Sequence, residues 1–403
     1  MNIGGVPAII NLLETISKAT VEEIIVVTGH NSELLIDEID KFKAQRPDSS
    51  RIKTVYNENY NEGMFTSIQC GLKEALSSTG TDSSPGAVLL FPVDSPLISF
   101  DSIQTIIDAW TSIPDRLYVP CYRGKKGHPL LIPSIYYDEI LRHDGSGGLK
   151  AITQKYSEKM TLIDTKDESV VIDMDTLDDY HYTIKHRENT RQESVKSITE
   201  KRNAKIILVR HGSTEQQKDK IFLGQSDVPL SEIGKEDALK AAIKLSKMQL
   251  ESPRIWSSTL SRASETATII ADNISFCKAV GTDDKIICNY LESLKEINLG
   301  SWDGKQISEI KRRFPEEYKK RGEDILRYKQ GNDFENFYDL RYRVIRAFLE
   351  ILDETPNNQA IIIVSHAGPI RMIIAEHNEI SLEEALKMPI PKATPLQIDG
   401  QLW

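Results

Sequence analysis

Two apolar, β-branched runs in this chain stop at a histidine. Lys205-Ile206-Ile207-Leu208-Val209 leads into Arg210-His211-Gly212, and Ile361-Ile362-Ile363-Val364-Ser365 leads into His366. A continuous apolar run of this length, ended by a polar residue and glycine, predicts a strand of a parallel sheet buried on both faces. Open α/β sheets bind ligands at the carboxyl ends of such strands. Two histidines placed there can face one pocket. A third short strand, Arg254-Ile255-Trp256, precedes Ser257-Ser258-Thr259-Leu260-Ser261-Arg262-Ala263, which brings Arg262 to the same edge.

Two arginines and two histidines at one sheet edge suit a phosphate ester. Guanidinium forks match phosphate oxygens and stay charged. An unprotonated imidazole is a competent nucleophile, and adjacent arginines disfavour its protonation. Phosphoryl transfer is mainly positioning and charge stabilisation, which arginine can supply. The leaving oxygen still needs a proton, and Glu296 in Leu294-Lys295-Glu296-Ile297 is the candidate donor.

The order of these pieces resembles the histidine phosphatase superfamily, also called phosphoglycerate-mutase-like, over residues 205–375. The matching text is Leu208-Val209-Arg210-His211-Gly212-Ser213-Thr214, Gly224-Gln225-Ser226-Asp227-Val228-Pro229-Leu230, Gly234, Ser257-Ser258 through Arg262, and Thr266-Ala267. It continues with Glu296-Ile297, Gly300-Ser301-Trp302-Asp303-Gly304 and Val364-Ser365-His366-Ala367-Gly368. The resemblance implies a phosphoglycerate-mutase-like domain with His211 as a phosphohistidine nucleophile. It makes Arg210, Arg262 and His366 the phosphate pocket and Glu296 the general acid, then the base toward water. Gln217, Gly224 and Gln225 are the implied substrate contacts, no cofactor is implied, and the branch containing α-ribazole phosphatase is the most similar. Gln217 stands where the family often has Asn, and Gly331-Asn332-Asp333-Phe334 replaces a common Gly-Gly-Glu-Ser stretch. A phosphomutase is a further option on the same fold.

With 403 residues, the chain is too long for one ordinary domain. The stretch 183–203 is almost wholly polar and reads as a linker, partly helical, between a first domain at 1–182 and a second at 204–403. The net charge of -10 argues against a general nucleic-acid binder. Cys70, Cys121, Cys277 and Cys288 show neither metal spacing nor a disulfide framework. Reduced, mostly buried thiols, with no signal peptide and no apolar stretch of membrane-spanning length, predict a cytoplasmic protein that does not engage membranes. Residues 306–330, with Lys311-Arg312-Arg313 and Lys319-Lys320-Arg321, are expected to cap the phosphatase pocket.

In the first half, strands at Ile24–Thr28, Ile52–Val55, Ala87–Phe91 and Leu117–Val119 alternate with helical segments, which predicts a second three-layer α/β sheet. Asp94 lies just past the third of these strands, and an acidic cluster beginning at Asp173 follows an expected strand at Ser169–Ile172. Separated carboxylates of this kind can share a divalent cation, and Mg²⁺ prefers carboxylate oxygens together with substrate phosphates. Taken singly, each is as well explained as a turn aspartate.

Residues 4–182 resemble the MobA-like nucleotidyltransferases, a nucleotide-diphospho-sugar-transferase-like fold, and most of all the molybdenum-cofactor cytidylyltransferase branch. The carrying text is Asn57, Glu62-Gly63-Met64-Phe65-Thr66-Ser67-Ile68-Gln69-Cys70-Gly71-Leu72, Pro92-Val93-Asp94-Ser95-Pro96-Leu97, Lys126-Gly127-His128-Pro129, Asp144-Gly145-Ser146-Gly147-Gly148 and Asp173-Met174-Asp175-Thr176. It implies Mg²⁺ at Asp94 and Asp173, nucleotide contacts at Gly63 and Ser67, and acceptor contacts near His128. The implied ligands are CTP or another nucleoside triphosphate and a pterin-type acceptor. The family opens with a strand and a Gly-rich phosphate loop, whereas Met1-Asn2-Ile3-Gly4-Gly5-Val6-Pro7 resembles the text after that loop. The expectation is therefore a truncated domain with little or no transferase activity. Its alternative roles are an active transferase and a degenerate binding module.

Overall fold

The structure is a computed structural model that describes residues 2–3, 6–44, 46, 49–78, 85–215, 221–275, 286–331 and 333–398. It divides into two units, Met1–Arg187 and Glu188–Trp403. Both are α/β, as the strand–helix alternation predicts.

The first unit opens with a hairpin of β1 (Asn2–Ile3) and β2 (Val6–Pro7), followed by α1 (Ala8–Ile16), β3 (Ile24–Thr28), α2 (Ser32–Ala44), β4 (Ile52–Tyr56) and α3 (Met64–Ser78). Then come β5 (Ala87–Leu90), α4 (Phe100–Ser112), β6 (Leu117–Tyr122), β7 (Lys125–Lys126), β8 (Leu130–Pro133), α5 (Tyr137–Arg142), α6 (Gly148–Lys155) and β9 (Met160–Asp164). The sheet of this unit is in two pieces. β3 and β4 form a parallel pair, and β5, β8, β6 and β7 follow one another antiparallel, with β9 parallel to β6. On the larger piece, alternate residues face opposite layers. Leu117 and Val119 of β6 pack with Phe65, Leu72 and Ile140, whereas Tyr118 packs with Ile106 and Leu131.

The strand expected at Ser169–Ile172 is instead a 3-10 turn over Glu168–Val171. The Asp167 carboxylate accepts from the Ser169 N–H at 2.9 Å, a capping bond that favours a turn over an extended chain. The Val170 carbonyl is taken by the His128 N–H at 2.8 Å, so no ladder runs through this segment.

The polar stretch that reads as a linker folds as α7 (Leu177–Glu200), and the boundary between units falls inside it at Arg187/Glu188. Its C-terminal part belongs to the second unit, where Val195 is fully buried in the core and Thr199 bonds His377 Nδ1 at 2.8 Å. Arg191 and Arg341 both pair with the fully buried Glu376, at 2.8 and 3.2 Å, so charge-bearing residues are used there as anchors. Polarity alone cannot distinguish such a helix from a solvated spacer.

The second unit contains β10 (Ile206–Arg210), α8 (Glu232–Lys247), β11 (Arg254–Ser258), α9 (Ser261–Asn273), β12 (Cys288–Leu291), α10 (Ile307–Arg313), α11 (Pro315–Glu323), α12 (Phe337–Glu354), β13 (Ile361–Ser365), α13 (Ala367–His377), α14 (Leu382–Lys387) and β14 (Pro395–Gln397). The strand order is β12-β11-β13-β10-β14, parallel except for β14. The two histidine-terminated runs are neighbours in this sheet, with Arg210 opposite Ser365. Ile206 and Leu208 of β10, with Ile361 and Ile363 of β13, join α12 and α13 in one core; Ile207, Val209, Ile362 and Val364 join α8 and α9 in the other. Burial on both faces is why these strands read as unbroken apolar runs. Fully burying each such side chain contributes about 1.5–3 kcal/mol.

Candidate active site

His211 and His366 come together at the carboxyl ends of β10 and β13, with ring centroids 5.1 Å apart. The parallel register continues one step past the strand, where the His211 N–H donates to the Ser365 carbonyl at 2.9 Å. His211 Nδ1 lies 2.8 Å from the Gly212 carbonyl oxygen. A carbonyl only accepts, so Nδ1 carries the proton and Nε2 keeps its lone pair. Burial, reinforced by the charges of Arg262, Arg210 and Lys392, pushes the His211 pKa down to about 3. The imidazole is therefore neutral at ordinary pH.

His366 is wholly buried, and its Nε2 lies 2.8 Å from Ser258 Oγ. Ser258 Oγ also accepts from the Leu260 N–H at 3.3 Å. When its own proton goes to His366 Nε2, the imidazole proton sits on Nδ1. That nitrogen has no partner among the described residues. Burial, joined by His211 and Arg262, holds His366 well below the usual histidine range.

Arg262, near the N-terminus of α9, is 1% exposed. Its Nη1 donates to the Ser226 carbonyl at 2.9 Å and its Nη2 to the Gly224 carbonyl at 2.7 Å. Arg210 donates from Nη1 to the Ile390 carbonyl at 2.9 Å. The Nε of each arginine is buried and unpartnered among the described residues. Unmade hydrogen bonds of buried charged donors are costly. Two such donors and an open imidazole nitrogen beside one unprotonated Nε2 make a cradle for a tetrahedral oxyanion.

Glu296 lies between this cradle and α13, its Oε2 accepting from the Gly368 N–H at 3.3 Å and its Oε1 from its neighbour Ile297 at 3.0 Å. A Cβ on Gly368 would collide with the Glu296 carboxylate, which explains the glycine after His366-Ala367. In the same way a Cβ on Gly212 would meet the Gly234 backbone and one on Gly234 the Ser213 backbone, tying α8 to the segment after His211.

Among the other expected contacts, Gln225 Nε2 donates to the Glu296 carbonyl at 3.0 Å, and the Gly224 N–H donates to Asp303 at 2.8 Å. Gln217 lies outside the described residues. The stretch expected to cap the pocket contains α10 and α11. Tyr318 of α11 stacks on Trp302, and Arg321 lies over Phe222, two residues before Gly224. Half of the residues in the basic clusters pair with neighbouring carboxylates, as in Arg313–Glu309 and Lys320–Glu317, both exposed helix pairs.

Several supporting residues were not visible as such in sequence. Arg343 of α12 donates to the carbonyls of Ser293, Lys295 and Glu296 at 2.8–2.9 Å and forms a two-bond fork with Glu335. Glu335 in turn accepts from the Asn298 N–H at 2.8 Å. The loop that carries Glu296 is thus clamped on both sides. Asp303, inside the matched Gly300–Gly304 stretch, holds the Gly224–Ser226 loop through two backbone N–H groups. A charged residue on an otherwise amphipathic helix, such as Arg343, gives no local signal of this job.

In the first unit, Ser67 Oγ and Thr66 Oγ1 both accept from the buried Asn57 Nδ2, at 3.0 and 2.9 Å. Gly63 ends a 3-10 turn at φ +106°, a conformation for which glycine is suited. His128 is largely buried, which lowers its pKa, and its Nδ1 is unpartnered among the described residues. Burial raises the pKa of Asp94, and Asp175 and Asp173 add to the shift. Asp94, Asp173 and Asp175 therefore repel one another electrostatically, a condition that a cation would relieve. Among the described residues no three acidic, histidine or cysteine side chains are already gathered as a metal-ligand set. The carboxylates fit Mg²⁺, which commonly takes one or two protein carboxylates together with substrate phosphates. Of the described cysteines, Cys121 is buried, Cys70 and Cys288 are half-buried, and all three are free; Cys277 lies outside the described residues. No helix among the described residues is long and apolar enough to cross a membrane.

Comparison with known proteins divides the chain in the same way. The profile of the histidine phosphatase superfamily (branch 1) matches residues 206–400, and that of the MobA-like NTP transferase domain matches residues 1–160. Phosphoserine phosphatase 1 of Hydrogenobacter thermophilus is 32% identical over 171 residues, which are 41% of this chain and 72% of that protein. The 2,3-bisphosphoglycerate-dependent phosphoglycerate mutase 2 of Lactobacillus johnsonii is 28% identical over 210 residues, 48% of this chain and 90% of that protein. The solved structure of the α-ribazole phosphatase from Shigella flexneri aligns with 48% of this chain and 89% of its own at 23% identity and a TM-score of 0.41. The chain belongs to the histidine phosphatase superfamily through its second unit, and its first unit carries a MobA-like NTP transferase domain.

Proposed function

We propose that the second unit hydrolyses phosphate monoesters through a phosphohistidine at His211. The observation that carries this reading is the His211 Nδ1 bond to the Gly212 carbonyl, which leaves Nε2 unprotonated beside the unpartnered Nε groups of Arg210 and Arg262. Nε2 attacks phosphorus, and the bond to the leaving oxygen breaks as that oxygen takes a proton from Glu296. Arg210, Arg262 and His366 Nδ1 hold the three non-bridging oxygens. Glu296, now a carboxylate, takes a proton from water, whose oxygen attacks the phosphohistidine. Inorganic phosphate leaves, and Nε2 and the Glu296 proton are restored. Positive charge comes from the two arginines and a further hydrogen bond from neutral His366, so this half is proposed to need no divalent metal.

A second reading, a phosphomutase, is favoured by the phosphoglycerate mutases among the relatives. In that case the phosphohistidine is passed to an acceptor hydroxyl instead of water. Incubation with a panel of phosphorylated metabolites separates the two: release of inorganic phosphate supports hydrolysis, and conversion to a phosphate isomer without release supports the mutase.

For the first unit we propose a nucleotide-binding module related to the molybdenum-cofactor cytidylyltransferases, with Asp94 and Asp173 as the residues that would hold Mg²⁺. Held there, the cation would supply charge to offset substrate phosphates, with Gly63 and Ser67 on the nucleotide side and His128 on the side of a pterin-type acceptor. Little or no nucleotide transfer is expected, because the sheet in this unit is divided. β3 pairs only with β4 and β5 only with β8 among the described residues. Titration with CTP, GTP and ATP, with and without Mg²⁺, tests it. Binding without turnover supports the module, and transfer at an ordinary enzymatic rate overturns it. Both halves are proposed to act on small molecules in the cytoplasm, with neither nucleic acid nor membrane as partner.

A further inference from the structure

The segment between α14 and β14 lies against the end of β10, and three contacts pin it there. Arg371 donates from Nε and Nη2 to the Met388 carbonyl at 3.1 and 2.8 Å, Arg210 Nη1 donates to the Ile390 carbonyl at 2.9 Å, and the Ala393 N–H donates to the Arg210 carbonyl at 2.8 Å. Arg210 and Lys392 form an isolated parallel bridge. Ala393 is buried and sits at φ +42°, a backbone conformation that L residues rarely adopt. Local strain of this kind persists only where the surroundings over-determine it. The result is that Lys392 is set directly beside the residue that precedes the nucleophile.

Lys392 is exposed as a residue, with its ammonium partly desolvated, and forms no ion pair or side-chain hydrogen bond among the described residues. The titratable groups within its electrostatic reach are the charged Arg210 on β10 and Asp237 on α8, and the neutral His211 ring. Asp237 already accepts from Ser213 Oγ at 2.9 Å. Two cations thus stand side by side at the mouth of a cradle whose other members are Arg262 and two neutral imidazoles. Like charges so placed repel, and an anion between them removes the repulsion.

We propose that Lys392 is a further anion-binding residue of this pocket, pairing its ammonium with an oxygen of the phosphate dianion held beside His211. The proposal rests on the phosphatase reading above. None of the matched motifs contains this lysine, and its placement depends on the pinned segment. Two consequences follow. The ammonium pairs with the anion only while protonated. Burial, and next the Arg210 charge, lower its pKa from the ordinary lysine value, so phosphate affinity should fall on the alkaline side earlier than an unperturbed lysine would allow. An arginine at the same place should keep its charge and remove that decline.

The test uses the full chain and inorganic phosphate as the probe, titrated calorimetrically between pH 7 and pH 10, alongside hydrolysis of p-nitrophenyl phosphate. The wild type should bind phosphate at pH 7 and more weakly as pH rises. Lys392→Met should bind about tenfold more weakly at pH 7, the size of one modest charge-assisted bond, and show a flattened alkaline decline. Lys392→Arg should bind at pH 7 as the wild type does and hold that affinity to higher pH, which also separates lost charge from lost folding. If Lys392→Met binds phosphate as tightly as the wild type, or if its affinity declines with pH as the wild type's does, the proposal is overturned. If the wild type neither binds phosphate nor hydrolyses p-nitrophenyl phosphate, the phosphatase reading fails first, and the proposal with it.

Discussion

At the carboxyl ends of β10 and β13, the charges of Arg210, Arg262 and Lys392 act on the neutral His211 beside His366, and Glu296 is placed among them by its contact to α13. Past the end of β5, the arrangement is the reverse: burial, and next the charges of Asp175 and Asp173, raise the proton affinity of Asp94, and burial lowers the pKa of the neighbouring His128. The first site is laid out for an anion and carries its own counter-charges. The second gathers acidic groups, and in the proposed reading a cation would offset them before a triphosphate approaches. The sheets differ in the same sense. β10 is paired on both sides, by β13 and β14, whereas β3 and β5 each have one partner among the described residues. Strand-end chemistry is only as complete as the sheet and loops that aim it, and that difference is what the following predictions address.

The largest effect is expected at Glu296. Glu296→Gln should slow hydrolysis of alkyl phosphates by about 10²–10⁴-fold, the usual size of general acid–base catalysis. An activated aryl phosphate, whose leaving group needs little protonation, should lose far less, and phosphate binding should persist. Equal losses on both substrates would remove Glu296 from the proton-donor role.

A smaller loss, on the order of tenfold to a hundredfold, is expected for Arg343→Leu, because small misplacements of a catalytic group are costly. Arg343 touches no expected substrate atom; it holds the Ser293, Lys295 and Glu296 carbonyls. The loss should therefore follow the leaving group as it does for Glu296→Gln, whereas a merely structural role would slow both substrate classes alike.

The contrast between the sites predicts opposite responses to chelation. Phosphatase activity should be unchanged by a chelator, while any nucleotide binding by the first unit should weaken with the chelator and with Asp94→Ala. A phosphatase that stops on chelation would break the division of chemistry between the units.

The smallest effect concerns acid stability. His211 has a folded pKa of about 3 against an ordinary value of 6.5, a depressed value. Its contribution to stability is therefore fully present above pH 6.5 and is lost as pH falls toward 3, because the unfolded chain binds the proton first. Denaturant titrations across that window should show a shallower acid loss for His211→Asn than for the wild type. Identical slopes would show that burial does not hold this imidazole neutral.

Much of the second site was legible in the sequence because its signals are local. An unbroken apolar run reports burial on both faces, and the residue that ends it reports a strand end, which is how Arg210, His211 and His366 could be placed. The supporting roles of Arg343, Glu335 and Ser258 were not legible, since each acts across the fold on a backbone carbonyl, an N–H or a ring nitrogen, and Lys392 is set beside Arg210 only by the segment that carries it. The turn at Glu168–Val171 was misread as a strand because Val170-Val171-Ile172 is β-prone, while the capping by Asp167 and the His128 bond to Val170 decide the local structure. The polar helix α7 was obscure for a related reason. Its anchoring pair, Arg191 with Glu376, joins residues far apart in the chain.

The most direct test of the central claim is rapid quenching of the enzyme with a ³²P-labelled phosphate monoester, followed by mapping of the labelled peptide. The account predicts an acid-labile, base-stable phosphoryl group on His211 that forms and decays at the rate of turnover and is absent from His211→Ala, which should be folded and inactive. A His211→Ala protein that still turns over, or a label on any other residue, would contradict it.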